Sequence, residues 1–347
     1  MSTRRGRVVA IWTAVGLAGG ASGNLLSGAL TGYLTWRSTL LINVPIGAVA
    51  AALAVAVLPG APVRARTGRL DVAGAGVGHV RPGGADLWSD VRPRPRLGRC
   101  RHRRALVTAL AALAAFVAVE ARWAREPLVP PRLFRSRAIW LGNLEMLLAG
   151  AAFQIPMWYF LTLYLQQVLG LDALRTGLAF LPHTLVMLVV GLRLTPWLMR
   201  RVGTRPLVVA GALVAAAGFA WQSRITADDT YISAVLGPGI ALAVGGGLLT
   251  TPLTVVVTSG VPSADAGAAS GLMNTAKQTG GVLGLAALVA LTGRHSGTAQ
   301  ATVAGYGRAF AITAVVLVVV AVLGGVLPNR RDGRSATAST DPRTAGA

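Results

Sequence analysis

The sequence predicts an all-α, polytopic membrane protein. Three observations lead there. Hydrophobic residues fill 53% of the 347 positions, charged residues fill only 13%, and mean hydropathy is +0.59. A soluble protein of this length carries about 25% charged residues. Apolar runs recur at 8–31, 38–58, 139–165, 178–199, 206–222, 231–254, 271–292 and 309–327, with a weaker one at 105–121. A hydrocarbon core roughly 30 Å thick needs about 20 apolar residues per helix. In lipid, every backbone group must find its partner inside its own segment. Tilted strands would show alternating polarity, which these runs lack, so each is expected to be a helix.

The net charge of +21 and a pI near 11.8 would suit a phosphate binder. The placement of the arginines argues otherwise. They gather at helix ends as Arg4, Arg5 and Arg7, then Arg64, Arg66 and Arg69, then Arg122, Arg125, Arg132, Arg135 and Arg137, then Arg200, Arg201 and Arg205, then Arg330, Arg331 and Arg334. The connections between hold few: Arg37, Arg175, Arg224 beside Asp228 and Asp229, Arg294 and Arg308. That is the positive-inside pattern. It names the lipid bilayer as partner, excludes nucleic acid, and places the chain in the plasma membrane as a multi-pass protein. The first run is too long and too glycine-rich for a cleaved signal peptide. Cys100 is the single cysteine, so neither a disulfide framework nor a cysteine metal site is available.

One stretch breaks the pattern. Gly76 to Arg104 holds eight arginines and three prolines where a span belongs. An even number of crossings must separate the clusters Arg64–Arg69 and Arg122–Arg137, yet only 105–121 lies between them as a candidate. Carrying eight arginines through the bilayer is unrealistic, because each costs about 2.5–3.5 kcal/mol even on lenient scales. With 32 arginines against the single Lys277 and much alanine and glycine, the gene reads as GC-rich, and such DNA out of frame yields arginine, proline and glycine. The expectation is a local frameshift across 77–104, restored near Arg104. The other reading is a genuine basic cytoplasmic loop in place of a helix.

Polar and small residues inside the runs are the functional candidates. Gly16, Gly19, Gly20, Gly23 and Gly28 recur at three- and four-residue spacings, which lets helices approach closely. Glu145 follows Arg137 by eight residues and Arg193 precedes Arg200 by seven, so each lies roughly 10–12 Å from a basic helix end. A buried Glu145–Arg193 ion pair lining the cytoplasmic vestibule is expected; separate snorkelling is the alternative. Gln154, Gln166 and Gln167 stand amid Phe153, Trp158, Tyr159, Phe160 and Tyr164. Amides among aromatics suit a flat small molecule, lipophilic or cationic, although an interfacial aromatic belt accounts for the same rings. Asn274 and Gln278, four apart, face one way near Lys277 and can bind across helices. No phosphate-cradling lysine loop, metal-spaced cluster or nucleophile–base pair occurs, and His79, His102, His183 and His295 are scattered. Neither an enzyme nor a cofactor is expected.

Several segments together resemble a known family. GLAGGASGNLLSGALTGYLTWRSTLLINVPIGA at 16–48, EPLVPPRLFRSR at 126–137, LTLYLQQVLG at 161–170, TGLAFLP at 176–182 and GAASGLMNTAKQTGGVLGL at 267–285 look like successive landmarks of the fourteen-helix drug:proton antiporters of the major facilitator superfamily. The resemblance covers most of residues 4–330. It implies proton-coupled efflux of a multidrug or other small-molecule kind by alternating access between two bundles, with protons as partners. It also implies that the chain starts at the family's fifth helix, lacking the acidic first helix and the first basic gating loop, and so is a fragment that is inactive on one reading. The loop MRRVGTRP at 199–206 is similar to the second copy of that gating loop, which makes Arg200, Arg201 and Arg205 gating candidates. The fifth-helix motif departs from the family pattern: Asn24 follows Gly23 where proline is usual, and Ser27 replaces a glycine. The implied organisation is 1–58 as family helices five and six, 59–137 as a linker region with a damaged seventh and weak eighth helix, 138–328 as helices nine to fourteen, and 329–347 as a disordered cytoplasmic tail, about 8–10 helices in all. A non-transporting membrane protein or assembly partner is the alternative.

Overall fold

The computed structural model describes residues 19, 22–23, 25–57, 131–259, 261–262, 265–292 and 298–328, with the side chains of Pro131 and Gln154 outside that set. Within it the chain is helical, without a strand. The long helices are α1 (Trp36–Val57), α2 (Arg137–Val168), α3 (Ala173–Val202), α4 (Thr204–Gln222), α5 (Ile232–Thr258), α6 (Ala266–Thr292) and α7 (Ala299–Gly324). All but α6 are long and apolar enough to cross a membrane. Helix α6 has the length, 27 residues, but its first half carries Asn274, Lys277 and Gln278. The all-α polytopic class expected from the sequence is what the structure shows. The run 105–121, the stretch 77–104 and the tail 329–347 lie outside the described residues, as does most of the run 8–31.

Helix limits depart from the apolar runs where local chemistry intervenes. Helix α7 starts ten residues before the run at 309, because Thr298 caps it by accepting from the Ala301 amide. Val303, Gly305, Tyr306 and Gly307 then pack into the core, so one side of this extension is buried despite the nearby Arg308. Helices α3 and α4 are joined by Gly203 alone, at φ 86° and ψ −175°, a conformation essentially restricted to glycine. Gly170, at φ 66°, ends α2, and beyond it the Leu171 amide turns back to the Leu165 carbonyl.

Three of the helices contain wider turns with i→i+5 bonding ahead of a proline, inside α2 at Gly150–Gln154, inside α3 at Val190–Leu194 and at the start of α5 at Ile232–Leu236. In each case a proline follows two residues later: Pro156, Pro196 and Pro238. A proline ring has no N–H and clashes with the carbonyl four residues back. Widening the preceding turn relieves that clash and re-pairs the freed carbonyls.

Glycines set how the bundle assembles. Helix α4 lies between α5 and α7 and is antiparallel to both, with Gly211 against Gly245 and Leu249, Gly218 against Leu242, Val208 against Gly324 and Ser223 against Gly307. Helices α2 and α6 run parallel, and a Cβ on Gly150, Gly280 or Gly284 would run into the backbone of Lys277, Leu147 or Ala151 respectively. An aromatic chain fills the centre: Phe153 meets Phe219 edge-on at 5.8 Å, Phe219 stacks on Phe310 at 6.0 Å, and Phe310 meets Phe160 at 6.2 Å. Of the N-terminal glycines, Gly28 makes a close approach, since a Cβ there would lie 2.7 Å from the Ala173 carbonyl oxygen. An added Cβ on Gly19 or Gly23 would meet nothing, and Gly20 and Asn24 lie outside the described residues.

The starts of α2 and α6 are tied by a bidentate ion pair. Arg132 Nε and Nη2 donate to Asp265 Oδ2 and Oδ1 at 2.9 and 2.6 Å. The Asp265 side chain is 6% exposed against 66% for Arg132. The hydrogen bonds and charge of Arg132 hold the Asp265 carboxyl below the usual carboxylate range, and Asp265 raises Arg132 in turn.

Two outcomes are expected in detergent-solubilised protein. Gly203→Ala should lower stability to unfolding by about 1–3 kcal/mol, whereas Gly239→Ala, where a Cβ meets open space inside a helix, should not. Because Asp265 is depressed, its pairing stabilises at pH above the ordinary carboxylate value and is lost as pH falls through its lower folded value. The stability gap between wild type and Asp265→Asn, read by thermal unfolding, should therefore be present at neutral pH and close in acid.

Candidate functional site

The connections divide the bundle into two ends. One end carries Arg132, Arg135, Arg137, Arg200, Arg201 and Arg205. The other carries Arg175, Arg224 and Arg308 with Asp172, Asp228 and Asp229. Between α2, α5 and α6 runs a groove lined by Met146, Phe153, Thr250, Leu253 and Lys277. Each element supplies its part for a local reason. Gly150 lets α6 close onto α2, which brings the half-buried Lys277 beside Met146. Helix α5 presents a ladder of threonines whose hydroxyls donate to carbonyls one turn back, Thr250 to Gly246, Thr254 to Thr250 and Thr258 to Thr254. Such hydroxyls satisfy themselves in an apolar setting and keep acceptor capacity. No carboxylate pairs with Lys277 among the described residues. The groove thus offers one ammonium, a hydroxyl and an aromatic face within an otherwise apolar lining.

The expected Glu145–Arg193 ion pair is not made. Glu145 is 0% exposed with both carboxyl oxygens unbonded, while Arg193 is exposed. The reason is topological: α3 packs on α5, whereas the first half of α2 packs on α5, α6 and α7. Arg193 also falls inside the widened turn Val190–Leu194, which shifts its facing from the one that regular helical spacing gives.

The other candidates are dispersed. Tyr164 is fully buried and its hydroxyl donates to the Thr226 carbonyl at 3.0 Å, so it anchors the α4–α5 connection to α2. Tyr159 is 41% exposed, Gln166 is exposed, and the Gln154 side chain lies outside the described residues. Asn274 and Gln278 are exposed on α6. Arg200, Arg201 and Arg205 are exposed near the single-residue turn at Gly203, and Arg201 lies over the Trp197 ring at 4.4 Å. Sequence spacing sets Lys277 beside Asn274 and Gln278 and does not join it to Phe153 and Thr250. It also missed an aromatic cluster at the opposite end, where Trp158 contacts Phe180 and His183 and His183 Nδ1 donates to the Gly239 carbonyl at 3.0 Å. Nothing in linear spacing brings those segments together.

The Major Facilitator Superfamily model matches residues 2–285. A cephamycin export protein of Amycolatopsis lactamdurans is 51% identical over 328 residues, which cover 94% of this chain and 67% of that protein. The puromycin resistance protein of Streptomyces alboniger is 33% identical over 348 residues, with the same coverage of both chains. The tetracenomycin C resistance and export protein of Streptomyces glaucescens is 32% identical over 298 residues, covering 83% of this chain and 53% of that protein. With multiple membrane-crossing helices packed in one bundle and a family match over most of its length, the chain belongs to the major facilitator superfamily, as a multi-pass transporter of the plasma membrane.

Proposed function

We propose that the chain exports a small antibiotic across the plasma membrane, coupled to proton entry, by alternating access. The observation that carries this reading is the 51% identity to a cephamycin export protein over 94% of the chain. A cephamycin is a carboxylate-bearing β-lactam. Lys277, with Thr250 and the Phe153 ring in one groove, has the chemistry to meet such a cargo, the ammonium taking the carboxylate and the ring an apolar edge. An anionic cargo of this kind stands in place of the lipophilic or cationic one that the aromatic residues of α2 suggested. Helices α2–α7 are assigned as the second six-helix bundle of a fourteen-helix transporter, with the arginine-rich end in the cytoplasm. The groove lies beside Gly150 and the widened turn of α2, where bundle rocking changes exposure at the midplane.

The test is energised export from vesicles containing the chain. Cephamycin export that collapses with a protonophore is expected. Lys277→Gln should reduce it by about tenfold, the loss of one charge-assisted contact, with Lys277→Arg largely retained and puromycin transport little changed. Export untouched by Lys277→Gln would remove the groove from the reading, and no export by the wild-type chain would favour the non-transporting alternative.

A further inference from the structure

Among the described residues, Glu145 is the buried ionisable side chain that has no partner. It is 0% exposed and neither Oε1 nor Oε2 takes part in a hydrogen bond. The other buried ionisable side chains are all bonded: His183 to the Gly239 carbonyl, Asp265 to Arg132, Tyr164 to the Thr226 carbonyl and Tyr306 to Gln167. Two residues before Glu145, the Asn143 Oδ1 is likewise buried and unbonded. Glu145 lies eight residues into α2, about 12 Å from its start.

The helices packed against α2 bring few charges. Helix α5 has no ionisable side chain. Helix α7 has Tyr306, whose hydroxyl donates to Gln167 at the far end of α2, and Arg308 two residues on. Helix α6 has Lys277, in the groove lined by Met146, the residue next to Glu145. An ionised carboxylate with no donor in an apolar core costs far more than the neutral acid. The neutral acid can stay in this packing, whereas the carboxylate needs water or a cation.

We propose that Glu145 is a proton-carrying site of the α2–α7 bundle, holding its proton in the packing seen here and exchanging it with water when the groove beside Met146 and Lys277 opens. On release the proton passes to water and the electron pair of the O–H bond stays on the carboxylate. Lys277, on the facing helix and in the groove beside Met146, then supplies a cation, and re-packing requires a proton to return. This inference rests on the proton-coupled export reading and names a residue for its proton.

Two readouts test it in the full chain reconstituted in liposomes. Dicyclohexylcarbodiimide modifies a carboxylic acid in an apolar site, with the acid proton moving to carbodiimide nitrogen as the carboxyl oxygen adds to its carbon. The adduct on Glu145, read by peptide mass spectrometry with Glu145→Gln as the blank, should fall by about tenfold as pH is raised through the group's titration. No adduct at any pH, in protein that remains folded by circular dichroism, would overturn the proposal. In transport, Glu145→Gln should keep cephamycin exchange in the absence of a gradient and lose about tenfold of the accumulation driven by a pH gradient, with Glu145→Asp intermediate. Equal loss of exchange and of driven accumulation in folded protein would make the residue structural and would also overturn it. If the wild-type chain moves no cephamycin, the export reading fails, while adduct formation still decides whether Glu145 takes up and releases a proton.

Discussion

Backbone groups in a membrane helix have already spent their hydrogen bonds within the helix, so neighbouring helices are joined mainly by how closely they can pack. The crossing of α2 and α6 is where the rest of the bundle depends on that constraint. Gly150, Gly280 and Gly284 bring the two backbones together. Lys277 reaches the groove because its own backbone rests on Gly150, and Gly150 itself lines that groove. A methyl group at any of these glycines would push α6 away, widen the groove and loosen the Arg132–Asp265 clamp where both helices start. Packing and site are therefore one feature of the sequence GAAFQ on α2 and KQTGGVLG on α6.

The prolines work against that rigidity. Pro156, Pro196 and Pro238 each follow a widened turn, and a widened turn rotates every later side chain relative to regular helical spacing. Kinks at such points need few residues to change in order to bend. Helices α2 and α3 thus carry a weak point inside the helix and α5 one at its start, each two residues ahead of a proline, while α4 has no widened turn within its 19 residues. Helix α4 lies between α5 and α7 with the stacked Phe219–Phe310 pair on its face.

Hydropathy made the helices legible, because lipid leaves a long apolar run no other structure. The arginine clusters mark the ends, whereas the joints at Gly203 and Gly170 come from the structure. What spacing did not show was which side chains meet. Arg193 and Glu145 lie at matching depths, yet depth is one coordinate and facing is another, and the turn at Val190–Leu194 removes the second from the sequence. Tyr164 looked like a drug contact because aromatic residues surround it along the chain, but a loop 62 residues later takes its hydroxyl. The Arg132–Asp265 pair spans 133 residues, and neither segment carries a mark of the other.

Charge is then distributed with economy. The arginines stay at the ends, where Arg201 lies against Trp197 and Arg132 against Asp265, and they set orientation. Within the bundle, the described residues leave a half-buried ammonium at Lys277 and a buried carboxyl at Glu145, on helices held together by glycine contact. A protein that only needed to span the membrane would gain nothing from either group, since each is costly in apolar surroundings. An ammonium and a protonated carboxyl that do not pair in the packed state, on helices that meet beside a groove, form an arrangement whose energy changes sharply with hydration. A cycle that opens and closes the groove would move both groups between those environments, and that difference is the quantity a coupled transporter must control.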